Sequence, residues 1–204
     1  MVLFSSEDEA YYNDTRARLA SILNEPKIQY KREIVKQPSL KDAHIYCMIN
    51  RMSAIKYGCL LEFYIRKQFD MKKNLISTCN GDVHTIQNLN LEIKISMSRH
   101  QFNYVQLRLN HQCDYLFTAY HLNQETLDDL GELFIFKLSK KQLKELIQKF
   151  GSYAHGTRSK LGNITAESLE SLDNREYALR PKYGDECWKS LLTFRIQERD
   201  IQTY

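Results

Sequence analysis

No apolar run in this chain of 204 residues approaches the roughly 20 needed to span a bilayer, so a membrane-spanning helix is excluded. The opening residues MVLFSSEDEAYY lack a basic stretch followed by an apolar one, and no secretory signal is expected. No cysteine belongs to a C-x-x-C pair. The five present, Cys47, Cys59, Cys79, Cys113 and Cys187, are scattered and odd in number. That pattern predicts a reducing, cytoplasmic setting and argues against a zinc site. Internal repeats, low-complexity segments and the glycine spacings of P-loops or dinucleotide folds are also missing.

What is there belongs to an ordinary soluble globular protein: 43% hydrophobic and 26% charged residues, with length for one sizeable core. The net charge of +4 suits an anionic partner without demanding one. Its distribution is uneven. Glu7, Asp8, Glu9 and Asp14 stand in the first 14 residues without a Lys or Arg, whereas Lys137 to Lys160 is basic around the single acid Glu145.

Helical spacing is expected from Glu9 to Asn24. Lys27 to Pro38 reads as a polar, basic connector. Ser39 can cap a second helical stretch running to about Phe69, through Ile45, Met48, Ile49, Met52, Ile55, Leu60, Leu61, Tyr64 and Ile65, with Gly58 as a candidate break. Strands follow. Leu75 to Thr78 is a short candidate. Gly81 to Ile86 and Leu89 to Ser96 read as a hairpin turning at Gln87-Asn88. Cys113 to His121 and Glu132 to Leu138 are apolar enough for burial on both faces. Ser139 and Gln142 form a capping box for a helix with Leu143, Leu146, Ile147 and Phe150 inward and Gly151 at its end. Ile164 to Leu172 predicts a short helix capped by Thr165. Residues 173 to 187 read as irregular, and Trp188 to Ile196 fits helix or strand. The whole is expected to be one α/β domain, a mixed sheet with helices packed on it.

The segment LNLEIKIS, Leu89 to Ser96, alternates apolar and polar residues without interruption. Period two puts Glu92 and Lys94 on one face. Asp82, ten positions earlier on the hairpin's first strand, can lie beside Glu92. Two close carboxylates repel unless a cation lies between them. A hard divalent ion such as Mg²⁺ suits that gap, with the main-chain carbonyl of Ile93 as a further ligand. Such an ion stabilises charge on a phosphate and acidifies a bound water. Lys94 would orient that water or neutralise a phosphoryl oxygen. An ordinary solvated strand face with one ion pair is the plain alternative.

Gly81-Asp82, a gap of nine residues and Glu92-Ile93-Lys94 resemble the PD-(D/E)xK nuclease superfamily, which includes most type II restriction endonucleases. Many members add a glutamate on the helix before the hairpin, and Glu62 in GCLLEFY stands there; as a plain surface acid it would pair with Arg66. Gly81 replaces the proline of the motif. The resemblance spans residues 55 to 150 by layout and four residues by motif. It implies a restriction-endonuclease-like central mixed β-sheet flanked by α-helices. It also implies Mg²⁺-dependent hydrolysis of double-stranded DNA by a homodimer, and a cognate DNA methyltransferase in the same system. A repair or junction-resolving nuclease of the same fold, or a non-catalytic nucleic-acid-binding module, are the rivals.

Two stretches carry side chains suited to DNA. Ser96 to Gln112 holds Arg99, His100, Asn103, Gln106 and Arg108 among aromatic anchors. Gly151 to Asn163 holds His155, Arg158 and Lys160 among glycines, so residues 151–204 are expected to add DNA contacts.

Overall fold

The computed structural model describes residues 14, 27–75, 80–123, 131–156, 158–170 and 175–201. The helix expected from Glu9 to Asn24 lies outside them except for Asp14, which is helical. Residues 27–34 form helix α1, where a connector was expected. The polar and basic residues there form its outer face, while Ile34 is fully buried and Tyr30 packs beside it.

The second helical stretch divides in two: α2 (Leu40–Ile49) and α3 (Ala54–Gln68). Ser39 caps α2, its hydroxyl accepting the Asp42 N–H. The break falls at residues 50–53, where Arg51 takes a left-handed φ of 49°, and Gly58 lies inside α3. Helical spacing runs across this break because both helices turn an apolar face to the same core. Ile49 and Ile55, counted in that stripe, are exposed.

The central sheet has the order β1 (Lys72–Lys73), β2 (Val83–His84), β3 (Asn90–Ser98), β5 (Asp114–His121), β6 (Glu132–Leu138), β9 (Arg195–Ile196). Only β3 and β5 pair in parallel, so the sheet is mixed. The first strand is Lys72–Lys73 rather than one starting at Leu75, which is not in a strand; residues 76–79 of that expectation lie outside the described residues. The hairpin's first strand is only two residues long. A second sheet joins β4 (Tyr104–Leu107), β8 (Tyr177–Leu179) and β7 (Ser152–Tyr153). β4 lies in a stretch singled out for DNA-binding side chains, where no strand was expected, and β8 in one read as irregular. Short strands with few alternations leave little signal, and pairing with distant partners makes them.

Helices cover both faces. α2 and α3 pack on Leu91, Ile93, Leu116 and Ile135. On the other face Tyr115, Phe117 and Phe136 meet α4 (Lys140–Phe150), α7 (Glu186–Leu192) and the second sheet. The Ser139–Gln142 capping box of α4 is present on both sides of the exchange. Short helices α5 (Arg158–Leu161) and α6 (Ala166–Glu170) follow, and Thr165 caps α6 through the Ser168 N–H. Trp188 is core, stacked on Phe102 at 4.9 Å. The ambiguous segment around it is helix first and strand afterwards. Among the described residues no helix is long and apolar enough to cross a membrane.

Candidate active site

The register Val83↔Leu91 and His84↔Asn90 brings Asp82 level with Glu92. There the ladder changes. The Asp82 N–H donates to the Leu91 carbonyl at 2.9 Å, and Asp82 Oδ2 accepts the Ile93 N–H at 2.8 Å. The carboxylate thus takes the place that a β2 main-chain carbonyl would fill. Asp82 lies just before β2, between β1 and β3, its carbonyl accepting the Asn74 N–H at 3.0 Å on the other side. In an antiparallel ladder a residue's N–H and C=O face the same neighbour, so the Ile93 carbonyl also faces the side where Asp82 lies.

Gly81 sets the approach. Its φ is +75°, and a Cβ there would meet the Leu91 carbonyl oxygen at 2.7 Å. Proline, locked near −65°, is excluded at this position. The departure from the nuclease motif is therefore built into the backbone path.

Glu92 and Lys94 project from the face of β3 opposite α3. Glu92 is only 5% exposed, and its Oε1 is 2.7 Å from Lys94 Nζ. A buried carboxylate needs such a partner. Glu62 sits on α3, which packs on the other face. Its charge and that of Glu92 both act on Asp82. Glu92 and Glu62 thus act on Asp82 from opposite faces of the sheet, and among the described residues the three carboxylates do not gather into one cluster of ligand atoms. Burial first, then Glu92, pushes the Asp82 carboxyl up to about 6, while the Ile93 N–H and Lys94 pull it back.

The Arg108 to Cys113 loop between β4 and β5 brings two further groups. His111 Nδ1 lies 3.8 Å from Glu92 Oε2, and Cys113 is buried beside them. One ligand atom each of Glu92, His111 and Cys113 lies within 4.8 Å of the others. Burial lowers the His111 imidazole's affinity for a proton against the pull of Glu92. Burial and Glu92 raise the Cys113 thiol to about 12. Neither residue was expected at the site. The register Leu91↔Asp114 places the start of β5, and Cys113 before it, beside the start of β3. Nothing local in the sequence announces a parallel pairing.

The expected DNA contacts fare unevenly. Arg99 and His100 are exposed just past the far end of β3, five and six residues beyond Lys94, roughly 16–20 Å along a strand. Asn103 accepts from Arg180 Nε at 3.1 Å. Gln106 is exposed in β4 at a left-handed φ of 56°. Arg108 is held by Glu176 through Nε and Nη2, at 2.9 and 2.7 Å, and His155 Nε2 lies 3.4 Å from the same acid. Arg158 donates to the Gly151 carbonyl. Lys160 is exposed on α5.

Asp82, Glu92 and the Ile93 carbonyl, the ligands expected for a metal, would offer oxygens only. That set fits a hard divalent ion such as Mg²⁺. No protein-family model matches the chain, and a search of curated proteins gives no match.

Proposed function

We propose that this chain is a Mg²⁺-dependent DNA endonuclease of the type II restriction kind, built on a restriction-endonuclease-like sheet. One observation carries the reading. Asp82 is pinned on the edge of β3 next to Glu92 and under its charge, with Lys94 completing the triad two residues on. That is the order D, E-x-K, assembled in space.

Asp82, Glu92 and the Ile93 carbonyl would hold Mg²⁺, which supplies charge stabilisation at the phosphate and an acidified water. The chain's own groups do the positioning. Lys94, 18% exposed at its side chain, points an ammonium at Glu92 while keeping a path to solvent. Its remaining donors can orient the attacking water or hold a non-bridging phosphate oxygen. Glu62 adds a negative charge beside Asp82 and strengthens the local demand for a cation. Arg99 and His100 beyond β3, and Lys160 on α5, are exposed cations or imidazoles available to the DNA backbone. A homodimer on double-stranded DNA, a cytoplasmic setting and a partner methyltransferase belong to the same proposal.

The test is plasmid cleavage with Mg²⁺, with EDTA, and with Lys94→Ala. Discrete fragments that vanish in both controls are expected. Cutting confined to branched DNA would move the assignment to a junction resolvase. Intact DNA with gel retardation would leave a binding module and overturn the enzyme.

A further inference from the structure

We infer that Glu92, His111 and Cys113 form a binding site for a zinc-class divalent ion, set apart by its imidazole and thiol from the oxygen donors proposed beside Asp82 and sharing Glu92 with them. The inference does not rest on the nuclease reading, since it concerns what the three side chains bind.

The distances point to an ion. His111 Nδ1 and Glu92 Oε2 are 3.8 Å apart, too far for a hydrogen bond. A nitrogen and an oxygen held tetrahedrally at zinc distances are separated by about 3.3–3.5 Å, so the gap is a few tenths of an ångström wider than that of two atoms sharing one metal. All three ligand atoms fall within 4.8 Å of one another.

The hydrogen bonding points the same way. His111 Nδ1 is buried with no hydrogen-bond partner. A buried polar atom left in that state is destabilising, and a metal bond removes that cost. Glu92 gives one oxygen to Lys94 and turns the other to His111. The carboxylate can therefore keep its lysine and still bind.

The donor types decide which ion. Imidazole nitrogen and thiolate sulfur beside one carboxylate oxygen suit zinc, and disfavour Mg²⁺ and Ca²⁺. Binding converts the Cys113 thiol to thiolate and releases its proton to solvent. Three protein ligands leave a fourth position for water, the arrangement of reactive rather than purely structural zinc sites. The cysteine spacing argued against zinc because it contains no paired thiols. This site draws its ligands from β3 and from the loop before β5 and needs no pair.

The experiment is titration of metal-free full-length protein with Co²⁺, followed in the visible and near-ultraviolet, then back-titration with Zn²⁺. One equivalent of Co²⁺ is expected to give the intense bands of a four-coordinate ion with thiolate charge transfer, and Zn²⁺ to erase them. Cys113→Ser should lose the charge-transfer band. His111→Gln should weaken affinity about 10–100-fold, at least the cost of losing an outer partner. A pale six-coordinate spectrum, or charge transfer that survives Cys113→Ser, overturns the site. Should Cys113→Ser fail to fold, unchanged Co²⁺ affinity in His111→Gln overturns it instead. Loss of DNA cleavage with this spectrum intact would remove the nuclease reading and leave the zinc-class site standing.

Discussion

β3 and β5 lie side by side, parallel over eight residue pairs from Leu91↔Asp114 to Ser98↔His121, yet they are built to different ends. Residues 115–120 of β5 are buried without exception, odd positions toward the second sheet and α4, even positions toward α2 and α3. β3 shares the second of these cores through Leu91 and Ile93. On its other face it carries Glu92, Lys94, Ser96 and Ser98. The same backbone geometry supports a packed core in one strand and a charged recess in the next. What differs is the cover. Aromatic rings such as Tyr104, stacked on Phe117 at 4.3 Å, close over β5, and the Arg108–Cys113 loop meets β3 with polar atoms. The packed core and the proposed chemistry are therefore one strand apart.

The largest test of that separation is Glu92→Gln. It keeps shape and removes charge, so cleavage should fall by roughly 10³-fold or more while stability moves by less than about 1.5 kcal/mol. Cleavage kinetics beside denaturant unfolding measure both; a large stability loss would make Glu92 a structural residue. The mirror experiment in β5 is Phe117→Ala. It empties a fully buried ring site and should cost about 3–5 kcal/mol by urea unfolding, with cleavage retained in the fraction that stays folded.

A smaller effect follows from Asp82. Its carboxyl is pushed up to about 6 from 3.8, so the folded chain holds this proton more tightly than the unfolded chain. That contribution to stability is full below about 3.8 and is lost as pH rises through about 6. In EDTA, Asp82→Asn, whose amide oxygen can still accept the Ile93 N–H, should exceed the parent by about 1–2 kcal/mol at pH 7.5. The advantage should vanish at pH 4. Thermal melts at the two values decide it, and an equal difference at both would show that Asp82 is not the group titrating. The smallest effect belongs to Ser96, whose hydroxyl accepts the Asn103 N–H at 2.9 Å. Ser96→Ala should cost about 0.5–1.5 kcal/mol and speed hydrogen exchange at Asn103.

The legible parts of the fold were those with a strong local period. The β3 alternation, the apolar runs of β5 and β6 and the α4 capping box were readable because neighbours in sequence carry the pattern. The break between α2 and α3 was misplaced because apolar spacing continues across residues 50–53. Helix α1 was missed because a single fully buried residue, Ile34, is a thin signal among charges. Near the proposed site, the shared face of Glu92 and Lys94 was legible from strand period, and the level of Asp82 with Glu92 from the hairpin. His111 and Cys113 were not, since only the β3–β5 pairing makes them neighbours of Glu92. Arg108 and His155 read as groove-binding groups, and Glu176, far along the chain, engages both.

By itself the sequence determined that Glu92 and Lys94 share a face, because side-chain direction in a strand is a local property with period two. It determined equally that β5 and β6 would be interior. Tertiary structure alone decided that the Asp82 side chain takes the Ile93 N–H, that the charge of Glu62 acts on Asp82 from the opposite face, and that an imidazole and a thiol stand against Glu92. Those outcomes depend on how distant segments pack and pair, and the free energy of that packing is distributed over contacts that no short stretch of sequence contains.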